Sequence, residues 1–293
     1  MTRAYTVGGC VTLFLFSSLL ADELTCRYVA PEPGSNRVVT EKSDFSIGTK
    51  VKRAGADVQD ISQERSTTKS KEEKLLEFGS DGFPSKLEVT FHEATQTQEN
   101  SMRAEPIVED APVHGKAYRV VRNKEGEITV TTAAGKPVEA AEEREYVERE
   151  YGALGTDGLA GFFHERTFKK DEAVEVPKKL AETLFRSGND QLTVDKFILT
   201  YKATRDVDGA PHAAFDTGVV MTTGVSAALT MEMEINGETL VSMSCRPVKM
   251  DLKGRLTLSG AQTQPARTDR PAQEMDVAGT GKIELRMRTE YTE

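Results

Sequence analysis

The sequence predicts a mainly β fold, in which an antiparallel curved sheet or open barrel of about ten strands carries a helical block inserted mid-chain. Apolar and polar residues alternate over many stretches between Phe45 and Met287, as in strands with one buried face. Turn-forming residues separate neighbouring stretches, so most connections are predicted to be hairpins. Residues 138–186 lack this alternation. We therefore predict one β-rich domain over residues 37–293, preceded by a linker over residues 22–36.

The first 21 residues are predicted to be a secretory signal peptide. Arg3 is their only charged residue, and an apolar run from Val11 to Leu20 ends at Ala21. A run of about ten residues is too short to span a bilayer as a helix. Cleavage after Ala21 is predicted to leave an exported chain, periplasmic or extracellular, without a transmembrane segment.

The charge of the chain limits its partners. The full sequence has a formal net charge of −9, which becomes −10 when residues 1–21 are removed, because they hold one arginine and no acid. An acidic chain is not expected to bind nucleic acid or an anionic membrane surface. There is no tryptophan, so aliphatic residues, methionine and phenylalanine must supply the core.

The strands of the first half begin with Phe45, Ile47, Thr49 and Val51, which alternate with polar residues. Residues 52–70 are charged and weakly patterned. The following strands surround turns at residues 79–84 and 123–126, with a polar connector over residues 101–112. Their apolar residues are Leu76, Phe78, Leu87, Val89, Phe91, Tyr118, Val120, Ile128 and Val130.

The helical block divides the two β halves. A surface helix is predicted over residues 138–154. Leu159, Phe162 and Phe163 then form an apolar patch at helical spacing. Pro177 is predicted to open a further helix that ends near Arg186, in a segment whose inward residues are Leu180, Leu184 and Phe185.

The second half has the strongest alternation, from Ala227 to Leu258. Asn236-Gly237 interrupts it and predicts a hairpin with a three-residue loop at residues 235–237, in which Met231 pairs with Val241. A bulge or bend is predicted at Pro247, which has no N–H to donate. Strands are also predicted around residues 197–203, 213–221 and 283–287, with a loop over residues 261–276.

Cys26 and Cys245 are the two cysteines of the predicted mature chain. An exported chain reaches an oxidising compartment, which favours a disulfide between them. The alternative is two separate buried thiols.

No local pattern indicates catalysis, a metal or a cofactor. Ser226 lies in a sequence close to a nucleophile elbow, but strand alternation follows it where that motif needs a helix. The four histidines, at positions 92, 114, 164 and 212, are too far apart in sequence to form a local metal pair. The chain is therefore predicted not to be an enzyme and to need no cofactor.

Long sequential amphipathic strands, an export signal and a short helical plug resemble the open β-barrels of the bacterial lipoprotein-carrier (LolA-like) group. The resemblance is architectural and covers roughly residues 37–293. It implies that the sheet holds an acyl chain against the helices. Four methionines are the candidate lining residues, because their side chains are flexible and apolar: Met231, Met233, Met243 and Met250. The alternative is that these methionines fill a core.

Two function classes follow, with a third less favoured. The first is an exported, non-catalytic binding protein that carries an apolar or lipid ligand. The second is a structural or protein-interaction module of the cell envelope, with an envelope protein as its partner. A hydrolase would require Ser226, a histidine and a carboxylate to converge. The first two differ in whether an apolar cavity exists.

Overall fold

The structure is a computed structural model that describes residues 22–53, 56–156, 158–185, 191–226, 228–264 and 273–292. The predicted signal peptide lies outside the described residues. Within them there are fourteen strands and three helices. The strands are β1 (Glu23–Thr25), β2 (Asn36–Arg53), β3 (Ala56–Phe78), β4 (Pro84–Asn100), β5 (Ile107–Asp110), β6 (Ala117–Arg122), β7 (Ile128–Thr132), β8 (Thr167–Lys169), β9 (Ala173–Glu175), β10 (Leu192–Val207), β11 (Ala210–Ser226), β12 (Leu229–Ser242), β13 (Pro247–Gln264) and β14 (Gln273–Thr292). The helices are α1 (Ala141–Glu150), α2 (Gly158–Phe163) and α3 (Lys178–Phe185).

Twelve strands form one antiparallel curved sheet that does not close, which confirms the predicted fold class. Its order is β7-β6-β4-β3-β2-β14-β13-β12-β11-β10-β9, with β5 beside β4. The first half runs outward from β2 to β7, and the second half runs back from β9 to β14. The two halves meet where β14 pairs with β2, with Asn36 opposite Thr292.

The helices pack on one face of this sheet, which we call the inner face. Two groups of buried side chains lie there. One joins α2, α3, β1 and β8 to strands β10–β13 and includes Phe163, Phe168 and Phe215. The other joins α1 to β3, β4, β6 and β7 and includes Phe91 and Val147. The helical block therefore covers the inner face as two adjoining clusters.

The predicted hairpin at Asn236-Gly237 is wrong, because β12 continues through both residues. Met231 pairs with Leu258 of β13, and the turn after β12 comes at residues 243–246. Gly237 instead permits close approach of the neighbouring strand: a Cβ atom there would lie 1.9 Å from the carbonyl oxygen of Asp251. Gly254 on β13 meets the same constraint, since its Cβ would lie 2.0 Å from the oxygen of Glu234. These glycines allow the sheet to curve.

Other differences have simple physical reasons. Strand β3 begins at Ala56, inside the weakly patterned stretch, because its largely polar first part pairs with β2 as the rest of the strand does. Pro247 begins β13, and the predicted bulge lies beside it, because Val241 pairs with Pro247 and Leu240 with Lys249. Leu184, predicted to point inward, is 39% exposed, and Ala181 is the buried residue of α3.

Within the predicted linker, β1 pairs with β8. Strands β13 and β14 extend into the predicted loop over residues 261–276, whose middle lies outside the described residues.

Candidate functional site

A cavity of about 390 Å³ lies between the inner face and the helical block, where the two buried clusters adjoin. Its floor is formed by the middle strands β2, β3, β13 and β14, and its roof by α2, α3 and the segment between α1 and α2. Leu154 belongs to one cluster and Leu159 to the other, and both line the roof. The apolar part of the lining includes Val39, Leu154, Leu159, Phe185, Met250 and Met287.

One wall of the cavity is ionic. Arg37, Lys71 and Glu73 line it, and the latter two are almost fully buried. The pairing of β2 with β3 places Arg37 opposite Glu73, and Arg37 Nε donates to Glu73 Oε2. Lys71 Nζ lies 3.1 Å from Glu73 Oε1. The Tyr151 hydroxyl donates to that same oxygen over 2.7 Å.

The ionic wall continues away from the cavity. Lys71 Nζ donates to Glu150 Oε1 over 2.6 Å, and Lys69 Nζ donates to the same oxygen over 2.7 Å. Lys69 also pairs with Glu41 at 2.7 Å. Three cations and three carboxylates thus form one connected network between β2, β3 and the end of α1. A network of this kind is tolerated in a buried position because every charge has a partner.

The pKa values of the buried carboxyls follow from these contacts. Burial would raise the pKa of Glu73, but Arg37 and Lys71 outweigh burial and lower it to about 2. Lys71 and Lys69 likewise overcome burial at Glu150, whose pKa falls to about 2. Burial would lower the pKa of Lys71, yet Glu150 and Tyr151 hold it well above its usual value. Both carboxyls are therefore ionised and Lys71 is charged at neutral pH.

A second polar wall is formed by Arg246, from the turn between β12 and β13. Its guanidinium carbon lies 4.9 Å from the ring centroid of Tyr291, and its Nη2 donates to the carbonyl oxygen of Val29 over 2.6 Å. Tyr28, one residue before Val29, stacks on Phe83 with ring centroids 4.5 Å apart. These contacts hold the N-terminal segment across this end of the cavity.

The four candidate methionines occupy different positions. Met250 lines the cavity. Met233 is buried in the cluster under α2 and α3, and Met231 and Met243 pack against that cluster. The residue that joins Met250 at the cavity is Met287 of β14, which the sequence analysis did not select.

The structure brings Cys26 and Cys245 together. Both are buried free thiols, and their sulfur atoms are 2.8 Å apart. Cys245 has a φ of 62°, a left-handed conformation that is unusual for a residue with a side chain. The contact lowers the pKa of Cys26 and raises that of Cys245. The disulfide itself stays a prediction.

Residues considered for catalysis or metal binding are not brought together in the described part of the chain. Ser226 is exposed at the end of β11, and none of the hydrogen bonds among described residues joins it to a histidine. His164 Nδ1 accepts a hydrogen bond from the Tyr28 backbone over 3.0 Å. Within the described ranges there is no group of three or more histidine, cysteine or acidic side chains suited to a metal ion.

Sequence reasoning missed the ionic wall, although a signal for it exists. Leu75 is fully buried against the inner face. Because alternate residues of a strand share a face, residues 69, 71 and 73 of β3 also point inward. Leu76 and Phe78 suggest the opposite set of inward positions, because a register shift near Leu75 reverses the alternation. Charged residues at three successive inward positions indicate a buried network.

The structure contains two further clefts. One, of about 450 Å³, lies on the outer face across β2, β3, β4, β13 and β14 and is lined largely by charged and hydroxyl side chains such as Asp44, Glu64 and Lys253. The other, of about 240 Å³, lies near residues 99–106. Since neither adjoins the helical block, the inner cavity is the better candidate for an apolar ligand. No helix in the described ranges has the length and hydropathy needed to cross a bilayer.

Comparisons with known proteins give no family. No protein-family model and no curated protein matches the chain. A lipovitellin chain, from a structure of lipid–protein interactions in lipovitellin, is 9% identical with a TM-score of 0.37 over 87% of this chain and 25% of that one. This chain thus spans about a quarter of the lipovitellin chain's length.

Two bacterial proteins give lower scores. An outer membrane channel from Pseudomonas putida F1 is 7% identical with a TM-score of 0.18, covering 90% of this chain and 98% of that one. Pseudomonas aeruginosa OpdQ is 8% identical with a TM-score of 0.20, covering 88% and 98%. At these scores none of the three carries an argument about this chain, and membership of the lipoprotein-carrier group is not shown.

Proposed function

We propose that this chain is an exported, non-catalytic binding protein that carries an apolar or lipid ligand between the sheet and the helices. The observation that carries the proposal is the inner cavity. Its volume of about 390 Å³ falls within the range of about 300–1,000 Å³ that is usual for small-molecule sites. Apolar side chains line both its floor and its roof, and its charged side chains lie in two places, at Arg37, Lys71 and Glu73 and at Arg246.

The cavity suits a flexible ligand. Met250 and Met287 lie on neighbouring strands of the floor, paired directly across β13 and β14. Methionine side chains adapt to irregular apolar shapes more readily than branched side chains do. An alkyl chain lying over them would be enclosed from above by Leu154 and Leu159.

The alternative, an interaction module of the envelope, has less support. One end of the sheet is β7, with five residues. At the other end β9 pairs with residues 198–200 of β10, and the remainder of that sixteen-residue strand is an edge to which a partner could add a strand. The large apolar side chains exposed in the described ranges are scattered over separate elements: Val29, Met102, Val108, Leu184, Val220 and Val225.

Binding of the neutral fluorescent probe N-phenyl-1-naphthylamine to the full-length purified protein tests the proposal. Ala160 of α2 lines the cavity, so the substitution Ala160→Phe should fill it and weaken probe binding by about tenfold or more. Ala141 is an exposed alanine of α1 outside the cavity, and Ala141→Phe is the matched control. Circular dichroism verifies that both variants fold. Equal probe affinity in wild type and Ala160→Phe would refute the cavity as the binding site.

Native mass spectrometry of protein purified from its own periplasm tests the same proposal without a chosen probe. A bound lipid would support the carrier function. A bound protein would support the envelope-interaction alternative, and ligand-free protein that also fails to bind the naphthylamine would contradict the proposal.

A further inference from the structure

The charged side chains around the cavity do not all compensate one another. Arg37, Lys69 and Lys71 are matched in number by Glu41, Glu73 and Glu150 in the ionic network. Arg246 lies outside this network. Among the described residues it has no carboxylate within ion-pair distance, so the cavity wall carries one uncompensated positive charge.

The hydrogen bonds of Arg246 leave part of its guanidinium unused. Nη2 is taken by the carbonyl oxygen of Val29, and one face of the group stacks on Tyr291. Nε is buried and has no hydrogen-bond partner in the described part of the chain. A buried donor without an acceptor is destabilising, and more so when the group is charged. An acceptor supplied by a ligand would remove that cost.

A second arginine adjoins this position. Arg37 is the cross-strand partner of Tyr291, whose ring also lies against Arg246. Only Nε of Arg37 bonds to Glu73, and no described residue accepts from its two Nη atoms. The side chain is 27% exposed and lines the same cavity. Free guanidinium N–H groups of this kind bind carboxylate and phosphate oxygens well.

We infer that the ligand is a single-chain amphiphile with an anionic headgroup, a carboxylate or a phosphate, held by Arg246 and Arg37. The inference rests on the proposed carrier function and adds the headgroup chemistry. The alkyl chain lies over Val39, Met250 and Met287 of the floor. The headgroup lies against Tyr291 and neutralises the charge that the ionic network leaves uncompensated.

Competition against N-phenyl-1-naphthylamine at pH 7.4 tests the inference with four ligands of the same chain length: dodecanoate, dodecyl phosphate, dodecanol and dodecyltrimethylammonium. We expect at least one of the two anions to bind about tenfold or more tightly than dodecanol, as a charge-assisted hydrogen bond allows. The cation should bind most weakly. The order of the two anions distinguishes a fatty-acid source from a phospholipid source.

Substitution then assigns the preference to the arginine. Arg246→Gln should abolish most of the difference in affinity between the anions and dodecanol, both measured on the same variant. Arg255 lies exposed on β13 away from the cavity, and Arg255→Gln is the matched control, expected to retain the preference. An unchanged anion preference in folded Arg246→Gln protein would refute the role of Arg246.

The wild-type comparison does not depend on the folding of a variant. Its outcomes distinguish failure of the headgroup inference from failure of the carrier function. If all four ligands displace the probe equally well, the headgroup inference is refuted while the carrier function stands. If the wild-type protein binds neither the probe nor any of the ligands, the carrier function itself fails.

Discussion

Replacing Glu73 by glutamine tests whether the ionic wall of the cavity depends on charge. Glu73 is 1% exposed, accepts hydrogen bonds from Arg37 and Tyr151, and forms an ion pair with Lys71. Its fall in pKa from 4.5 to about 2 corresponds to about 3 kcal/mol of stabilisation of the ionised form. Removing one member of a buried ion pair costs about 3–5 kcal/mol. We therefore expect Glu73→Gln to lower the free energy of unfolding by about 3 kcal/mol or more at pH 7.

The same substitution has a pH signature. Because the pKa of Glu73 is lower in the folded than in the unfolded state, its stabilisation is fully present above about pH 4.5 and is lost as the pH falls toward 2. The difference between wild type and Glu73→Gln should shrink over that interval, since the wild-type carboxyl then becomes neutral as well.

Guanidinium unfolding followed by circular dichroism at pH 7, 5.5, 4 and 3 measures this difference. Glu72, the preceding residue on β3, has 44% of its side chain exposed on the opposite face, 3.5 Å from the exposed His92, and Glu72→Gln should change stability at pH 7 by less than about 0.5 kcal/mol. A loss below about 1 kcal/mol at pH 7, or a loss that stays constant down to pH 3, would refute the argument that Arg37 and Lys71 stabilise the ionised carboxyl.

Three further predictions concern other parts of the chain. Gly254→Ala should lower the free energy of unfolding by about 1–3 kcal/mol, because its Cβ would lie 2.0 Å from a carbonyl oxygen. The control Gly48→Ala should be nearly neutral, since its Cβ would meet nothing closer than 4.0 Å. Equal effects of the two substitutions in chemical unfolding would contradict this. Under oxidising conditions Cys26 and Cys245 should form a disulfide, which lowers the intact mass by about 2 Da and adds about 2–5 kcal/mol to the free energy of unfolding. Two titratable thiols after oxidation would count against it. The exported protein should begin at Asp22, and N-terminal sequencing that finds residues 1–21 retained would disprove the predicted cleavage.

The fold class was predictable because burial on one face leaves a period of two in the sequence. Ile283, Leu285 and Met287 show that period and lie in β14. The hairpin predicted at Asn236-Gly237 was wrong, because glycine occurs both in tight turns and where strands approach closely. A local pattern does not distinguish the two roles. Only the pairing of neighbouring strands shows which role applies.

The candidate site was less predictable than the fold. Met250 was selected as a lining residue, but Arg37, Glu73 and Arg246 were not. Arg37 and Glu73 come together through the pairing of β2 with β3. Arg246 reaches them through the turn after β12 and through Tyr291, the β14 partner of Arg37, and local periodicity does not report these contacts. Charged residues at inward strand positions were the one local sign of the ionic wall.

The pairing of β14 with β2 also bears on the kinetics of folding. Asn36 and Thr292 are 256 residues apart along the chain, yet they are cross-strand partners in the middle of the sheet. Pairings between such distant segments carry a large loop-closure cost and are associated with slow folding. During synthesis β2 has one edge without its partner until β14 has emerged, and an unpaired edge invites aggregation. We therefore expect the nascent chain to depend on a holding chaperone until its last strand is available.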